Sequence, residues 1–282
     1  MEVNPTLLIV GCGKLGIKIG LALKEHFTVI GIKRKPPENF TEFQIISQDI
    51  FDETFHLLLE KINPNYLLYA AAADDQSSES YKKAYVNGLD VCINSINRYC
   101  PSVKHLFFVS STRVYGQRND QTMTESTEPE PNDFGGIALL EGEKLVNNSL
   151  IPTTILRLSG IYGSQRTYLL RMAEDEVRWP EKNRWTNRIH EDDAARFISF
   201  LFNRLISGFS LEPLYLVTDS SSALLFDVLN HIRVALGLDI INRTSIPPFE
   251  GKKLQSEIIP KTDFVYNYPD YKIGYNAIIA NK

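Results

Sequence analysis

Residues 6–16 read Thr6-Leu7-Leu8-Ile9-Val10-Gly11-Cys12-Gly13-Lys14-Leu15-Gly16, an apolar run followed at once by glycines in the spacing G-x-G-x-x-G. The consecutive apolar residues Leu7 to Val10 suit a parallel strand covered on both faces. The stretch from Gly16 to His26 contains no proline and can continue as a helix. A strand, a tight turn and a helix in that order confine the chain to a βαβ opening. The three glycines differ in what they permit. Gly11 allows the turn, Gly13 lets the backbone approach a diphosphate, and Gly16 lets helix and strand pack closely. The helix amino terminus adds N–H donors and partial positive charge. Gly11, Cys12, Gly13, Lys14, Leu15 and Gly16 therefore form a candidate dinucleotide-binding turn. The plain alternative is a glycine-rich turn that holds no ligand.

The pattern that follows repeats the opening. Short apolar runs at Leu7 to Val10, Thr28 to Ile32, Tyr66 to Ala70, His105 to Val109, Thr153 to Leu158 and Leu214 to Val217 alternate with helical spacing. Tyr81, Tyr85, Leu89, Cys92, Ile96 and Tyr99 share one helical face; so do Ala194, Ile198, Leu201, Phe202 and Leu205, and again Leu225, Val228, Leu229, Ile232 and Leu236. These stripes read as core. The alternation predicts an α/β fold with a doubly wound parallel sheet, and right-handed crossovers place any ligand at the carboxyl edge of that sheet. The expected organisation is a dinucleotide-binding domain over 1–160 with a return segment 186–218. A small substrate lobe, from 161–185 and 219–282, completes it. Glu128-Pro129-Glu130-Pro131 reads as an exposed loop, and Ile246-Pro247-Pro248-Phe249 as a further break.

Composition narrows the function classes. A net charge of −4 offers no concentrated basic face for nucleic acid. The longest apolar runs, such as Tyr66 to Ala73, are too short to span a bilayer, and no charged segment precedes a signal-like core, so a cytoplasmic location is expected. Cys12, Cys92 and Cys100 are scattered and lack histidine partners at metal spacing, which predicts buried free thiols and no metal site.

The second strand runs into Gly31-Ile32-Lys33-Arg34-Lys35, where a dinucleotide fold meets the adenosine ribose. An acid there would accept from both ribose hydroxyls and repel a 2′-phosphate. Cations in that window favour NADP over NAD, with Lys33 and Arg34 as the candidate contacts. A solvated basic strand end is the alternative. Asp49, after the third strand region, is placed either to accept from the adenine amino group or to cap its own loop.

By these residues the chain resembles the extended and atypical short-chain dehydrogenase/reductases, the NAD(P)-dependent sugar-nucleotide epimerases, dehydratases and reductases built on the Rossmann fold. Leu68-Tyr69-Ala70-Ala71-Ala72 is similar to the alanine motif after strand four, and Tyr85-Val86-Asn87 to the Y-x-N helix. Phe108-Val109-Ser110-Ser111-Thr112-Arg113-Val114-Tyr115-Gly116 resembles the strand-five motif, and Arg157-Leu158-Ser159-Gly160-Ile161-Tyr162-Gly163 the strand-six motif. Arg188-Ile189-His190-Glu191-Asp192-Asp193 and the tail Tyr268-Pro269-Asp270-Tyr271-Lys272-Ile273-Gly274-Tyr275 complete the likeness. It implies that Ala70, Ala71, Ala72 and Ser110 lie beside the cofactor, that Ser111 matches the family's catalytic Ser/Thr, and that the protein forms a homodimer.

One segment departs from the pattern. Family enzymes carry Tyr-x-x-x-Lys on the helix after strand five, where the phenol exchanges a proton with the substrate hydroxyl. Here that helix reads Phe134-Gly135-Gly136-Ile137-Ala138-Leu139. Aligning Phe134 or Gly135 with the tyrosine puts Ala138 or Leu139 at the lysine, so both groups are missing in either register. Ser111 and Tyr115 are the remaining candidates for moving a proton. Their structural alternative is loop satisfaction by Ser111 and packing by Tyr115. His190 titrates near neutrality, but its motif suggests orientation near the pocket mouth. Arg166 and Arg188 are candidate clamps for an anionic substrate such as a diphosphate, or solvent-facing arginines. Trp179, Pro180, Lys182, Arg184 and Trp185 form a stacking wall for a nucleobase or sugar, or ordinary lid packing. Two functions are open: an NADP-dependent oxidoreductase or epimerase/dehydratase-type enzyme on a sugar-nucleotide-like small molecule, and a non-catalytic dinucleotide sensor.

Overall fold

The computed structural model describes residues 4–116, 121–245, 247 and 249–281. Part of the Ile246-Pro247-Pro248-Phe249 break, namely residues 246 and 248, lies outside the described residues. Seven parallel-sheet strands are named in chain order: β1 (Thr6–Val10), β2 (Thr28–Lys33), β3 (Gln44–Ser47), β4 (Tyr66–Tyr69), β5 (His105–Ser111), β6 (Thr153–Leu158) and β7 (Leu214–Val217). They lie in the order β7-β6-β5-β4-β1-β2-β3, the doubly wound α/β arrangement expected from the sequence. The register is parallel throughout the pairs β1–β2, β1–β4, β2–β3 and β4–β5, with Val10 opposite both Ile32 and Tyr69.

The apolar runs become central strands because both faces are covered. Leu7, Leu8 and Ile9 in β1, Leu67 and Leu68 in β4, and Leu106, Phe107 and Phe108 in β5 have no exposed surface. An uninterrupted apolar strand is stable only where helices cover both sides. The covering helices are α1 (Lys14–Leu23), α2 (Phe55–Ile62), α3 (Ser78–Lys82), α4 (Gly88–Tyr99), α5 (Phe134–Asn147) and α7 (Glu191–Ile206). Phe202 of α7 joins Phe27, Tyr66 and Phe107 in an aromatic cluster with centroid separations from 4.2 to 6.4 Å. The stripe from Tyr81 to Tyr99 is not one continuous α-helix. A π-helical turn at Lys83–Asn87 separates α3 from α4, so one residue more than an α-turn is accommodated while Tyr81, Leu89, Cys92 and Ile96 stay buried.

The chain divides into two compact units. The first contains 1–114, 129–157 and 195–215; the second contains 115–128, 158–194 and 216–282. In the second unit, α6 (Tyr168–Glu174), α8 (Leu225–Ala235) and α9 (Tyr271–Ala280) enclose a core that includes Leu170, Ala173, Trp179, Phe226, Leu229, Ile232 and Tyr275. Gly160–Tyr162 pairs in parallel with Arg188–His190, and Trp185–Thr186 pairs antiparallel with Ala223–Leu224. The Glu128-Pro129-Glu130-Pro131 segment has no regular structure, as expected. The three cysteines are free and buried. Among the described residues, no helix is long and apolar enough to cross a membrane.

Candidate functional site

The strand order reverses between β1 and β4, so the loops leaving these two strands diverge and leave a crevice at the carboxyl edge of the sheet. A cleft of about 370 Å³ opens there in the first unit. Its walls include Gly11 and Gly13 after β1, Lys33 at the end of β2 and Arg34 after it, Asp49 after β3, and Ala70 to Asp74 after β4. Gly11 has a φ of +81°, and a Cβ at that position would stand 2.3 Å from the backbone of Ala71. The close approach of the two loops therefore depends on hydrogen at position 11. The turn is fixed by the amides of Gly11 and Cys12, which both donate to the Ile32 carbonyl at 3.1 and 2.9 Å. Gly13 is the N-cap of α1, has no side-chain cap, and meets nothing nearer than 3.9 Å at its Cβ position. No acid occupies the first turn of α1, so its amino end keeps the positive pole of the helix dipole unneutralised. Cys12, Lys14, Leu15 and Gly16 form the turn and first helical residues without lining the cleft. The Cys12 thiol is buried and burial pushes its pKa up to about 12, so it is packing and not a nucleophile.

Beyond β2, Arg34 and Asp74 face each other across the cleft rim. Arg34 Nη1 donates to Asp74 Oδ2 at 2.9 Å and Nη2 donates to Oδ1, a two-pronged pair. The hydrogen bond and charge of Asp74 hold the Arg34 pKa above its ordinary value, and Arg34 in turn holds the Asp74 carboxyl below its own. Asp49 lines the cleft while its Oδ1 accepts the Phe51 amide at 3.0 Å, so it caps its own loop. Asp74 was not singled out by sequence, although Asp74-Asp75 directly after the alanine run was the available signal.

At the end of β5, Ser110 donates to Glu143 Oε1 at 2.6 Å, and Arg157 grips the same carboxylate through Nε at 3.0 Å and Nη2 at 2.7 Å. All three are buried, so Ser110 serves a buried ionic network and does not line the cleft. Ser111 Oγ accepts the Arg113 amide at 3.2 Å, which leaves its hydroxyl hydrogen for another acceptor. The helix that lacks Tyr-x-x-x-Lys begins at Phe134, capped by Asp133, whose carboxylate accepts the Gly136 amide at 2.8 Å. Ala138 and Leu139 are buried. A Cβ on Gly135 would lie 2.4 Å from Arg113 Cζ, so this guanidinium occupies the space over the first turn of α5. Arg113 is held there by Asp133 at 2.9 Å, donates to the Tyr81 hydroxyl at 2.7 Å, and lies over the rings of Tyr81 and Phe134. Sequence reasoning missed Arg113, a large cation between Thr112 and Val114 in the strand-five motif.

The second unit holds the other candidates. Tyr115 is buried, and its hydroxyl donates to the Thr124 carbonyl at 2.9 Å. Arg166 lies 3.7 Å from Glu191. Arg188 is 3% exposed: its Nη2 donates to Thr186 Oγ1, its guanidinium lies over Tyr271, and Nη1 makes no hydrogen bond among the described residues. His190 stacks on Tyr268 at 3.8 Å and meets Tyr162 edge-on, while its Nδ1 accepts the Asp192 amide at 3.2 Å. Trp179 packs on Phe226 in the core, and Trp185 carries Lys253 over its ring at 4.6 Å. A second cavity of about 420 Å³ is lined by Thr122, Thr218, Asp219, Ser222, Lys253 and Tyr266, among others. Burial raises the Asp219 pKa to about 7, against the lowering effect of Arg188. Among the described residues, no cluster of three or more His, Cys, Asp or Glu side chains could hold a metal.

Comparison with known proteins bears on this arrangement. No curated protein matches the chain. Residues 5–188 match the family model of the RmlD substrate binding domain. A protein of Methylobacillus flagellatus described as an NAD-dependent epimerase/dehydratase is 33% identical, with 99% of each chain covered and a TM-score of 0.88. UDP-glucose 4-epimerase of Thermotoga maritima, solved with UDP-glucose, has the same fold at 17% identity, with 98% of this chain and 97% of that one covered and a TM-score of 0.78. dTDP-glucose 4,6-dehydratase of Bacillus anthracis, solved with NAD, has it at 15% identity, with 98% and 96% covered and a TM-score of 0.79. The family match spans the glycine turn, the crevice and the altered α5 helix, and on it the chain belongs to the RmlD substrate binding domain family, among the extended short-chain dehydrogenase/reductases.

Proposed function

We propose that the protein binds a nicotinamide dinucleotide in the β1–β4 crevice and acts as an oxidoreductase or epimerase/dehydratase-type enzyme on a sugar-nucleotide-like substrate. The observation that carries this reading is the joint geometry of Gly11 and Gly13. One permits the contact with Ala71, and the other leaves the amino end of α1 open to a diphosphate. The cleft residues fit the group: the α1 terminus for the diphosphate, Lys33 and Arg34 for a ribose phosphate, Asp49 for the adenine, and Ala70 to Ala72 as an apolar wall. Lys33 and Arg34 favour NADP over NAD. When bound, such a cofactor supplies hydride transfer to or from a carbon bearing oxygen.

The chain's own part is positioning and proton handling. Ser111, with its hydroxyl hydrogen uncommitted to the Arg113 amide, is the group to donate to a substrate oxygen. Tyr115 is the second candidate by its place in the motif, although its proton is directed at the Thr124 carbonyl. Arg166 and Arg188 are proposed for the anionic end of the substrate, with His190 orienting near them. The Thermotoga and Bacillus neighbours, with UDP-glucose and NAD, support a nucleotide sugar as the substrate class and a dinucleotide as the cofactor. A homodimer and a cytoplasmic location belong to the same proposal.

One observation favours a second reading, a dinucleotide sensor without turnover. The first turn of α5 carries neither phenol nor ammonium, and Arg113 fills the space above Gly135. Following nicotinamide absorbance with NADPH or NADP against nucleotide sugars and simple carbonyls separates the two. Turnover that falls at least 100-fold in Ser111→Ala, with coenzyme affinity unchanged, supports the enzyme. Tight coenzyme binding with no turnover across the panel supports the sensor.

A further inference from the structure

Arg34 and Asp74 stand 40 residues apart in sequence yet meet at the rim of the dinucleotide cleft, both among its lining residues. Resting on the dinucleotide reading above, we infer that Asp74 sets the coenzyme selectivity of this protein by competing with a 2′-phosphate for the Arg34 guanidinium.

The chemistry of a guanidinium underlies the competition. Its Nη1 and Nη2 donors form one planar edge that matches two oxygens of a carboxylate or of a phosphate, one partner at a time. Asp74 already occupies that edge with both oxygens. A 2′-phosphate must displace Asp74, or share the cation at close range with a carboxylate whose charge repels it. Asp49 adds to that repulsion, since it acts on the charge of Arg34 and lines the same cleft. A 2′-hydroxyl meets the opposite situation. It can donate to a carboxylate, so the intact pair tolerates NAD at no electrostatic cost.

Asp74 is not a passing surface residue. Its own amide donates to Ser80 Oγ at 2.9 Å, and the Ser80 amide donates to Ser77 Oγ at 3.1 Å, so the first turn of α3 fixes the Asp74 backbone at the rim. On the other side the Arg34 carbonyl accepts from Ser47 Oγ at 3.0 Å, which holds the end of β2. Both partners are thus presented by fixed backbone. Their side chains are half exposed, at 51% and 58%, so the pair can be opened without disturbing the core. A pair this exposed is weakly held, which makes it a graded counterweight and not a block.

The selectivity of the wild type is then the balance of Lys33 and Arg34, which attract the phosphate, against Asp74, which screens Arg34. Asp74→Asn keeps the shape and removes the charge. Calorimetric titration with NADP and with NAD tests the inference on the chain of 282 residues. We expect Asp74→Asn to tighten NADP binding about fivefold or more while NAD binding stays within twofold, and expect the gain to vanish in the Arg34→Gln background. Equal changes for the two coenzymes, no change for either, or a gain that persists without Arg34 would overturn it. Unaltered melting of both variants shows that the fold is intact. Failure of the wild type to bind either coenzyme would remove the dinucleotide reading itself, and this inference with it.

Discussion

Gly11 and Gly13 sit two residues apart in one turn, yet the structure assigns them different kinds of indispensability, and alanine at each separates the two. At position 11 a methyl group would stand 2.3 Å from both Cα and N of Ala71 and 2.7 Å from the carbonyl carbon of Ala70, all backbone atoms. No rotamer relieves such an overlap; the two loops must part by about 1 Å to reach ordinary contact. The φ of +81° adds about 1–2 kcal/mol for any L side chain. Displacing the turn also strains the Gly11 and Cys12 amide bonds to the Ile32 carbonyl, each worth about 1 kcal/mol. The expected loss for Gly11→Ala is on the order of 3–5 kcal/mol, within the range of strained-backbone and overpacking mutations. At position 13 the nearest atom is the Gly11 carbonyl oxygen at 3.9 Å, and φ is −84°. Gly13→Ala meets no steric conflict and is expected to cost only about 1 kcal/mol, the difference between glycine and alanine at an N-cap, well below the cost at position 11. It should nevertheless weaken coenzyme binding at least tenfold, because its methyl would intrude on the open space at the α1 terminus in which the proposed diphosphate would sit. Urea unfolding followed by circular dichroism, with coenzyme titration on each folded variant, reads both quantities. Equal destabilisation of the two variants, or a Gly13→Ala protein that binds as well as wild type, would refute this division of labour.

Two further outcomes follow from buried charge. Glu143→Ala leaves Arg157 buried without its carboxylate and Ser110 without its acceptor, and is expected to cost about 3–5 kcal/mol in the same urea assay. A cost below about 1 kcal/mol would mean that the network contributes nothing. Asp219, with its pKa raised from 3.8 to about 7, keeps its proton in the folded state over a range where the unfolded chain has lost it. The unfolded chain then binds fewer protons, so this residue lowers stability as pH rises from 3.8 to about 7, by about 4 kcal/mol at about 1.36 kcal/mol per pH unit. His105 acts with the opposite sign, since burial depresses its pKa from 6.5 to about 4 and stability is gained as pH rises through that window. The two cancel in large part in the wild type. In Asp219→Asn the His105 contribution is unopposed, and the stability difference from wild type should widen between pH 4 and 7. A constant difference across that range would contradict the assignment.

The central sheet was legible because a parallel strand covered on both faces must be apolar at every position. Leu7 to Val10 and Leu106 to Phe108 announce themselves without any context. The glycine turn was legible for a related reason: at Gly11 the requirement falls on a single residue's own φ and Cβ. Tertiary juxtaposition was not. Arg113 over Gly135, Arg34 against Asp74, and Glu143 between Ser110 and Arg157 each join segments separated by 14 to 40 residues. No local period carries such pairings. The π-turn at Lys83–Asn87 escaped for another reason, since the apolar residues from Tyr81 to Tyr99 recur at spacings of three and four and read as one unbroken helical stripe. In the second unit the sequence marked Arg188 and His190 as unusual. It could not show that Arg188 would be buried under Tyr271, or that His190 would stack on Tyr268.

The most direct test of the central claim is a crystal structure of the protein grown with NADP or NAD. The diphosphate should lie at the amino end of α1, with oxygens accepting from the first-turn backbone amides of Lys14 and Leu15, since the Gly13 amide is held by the Gly11 carbonyl at 2.7 Å, and the adenosine should run toward Arg34 and Asp49. A coenzyme bound elsewhere on the chain, or crystals grown at saturating coenzyme that show none in the β1–β4 crevice, would contradict it.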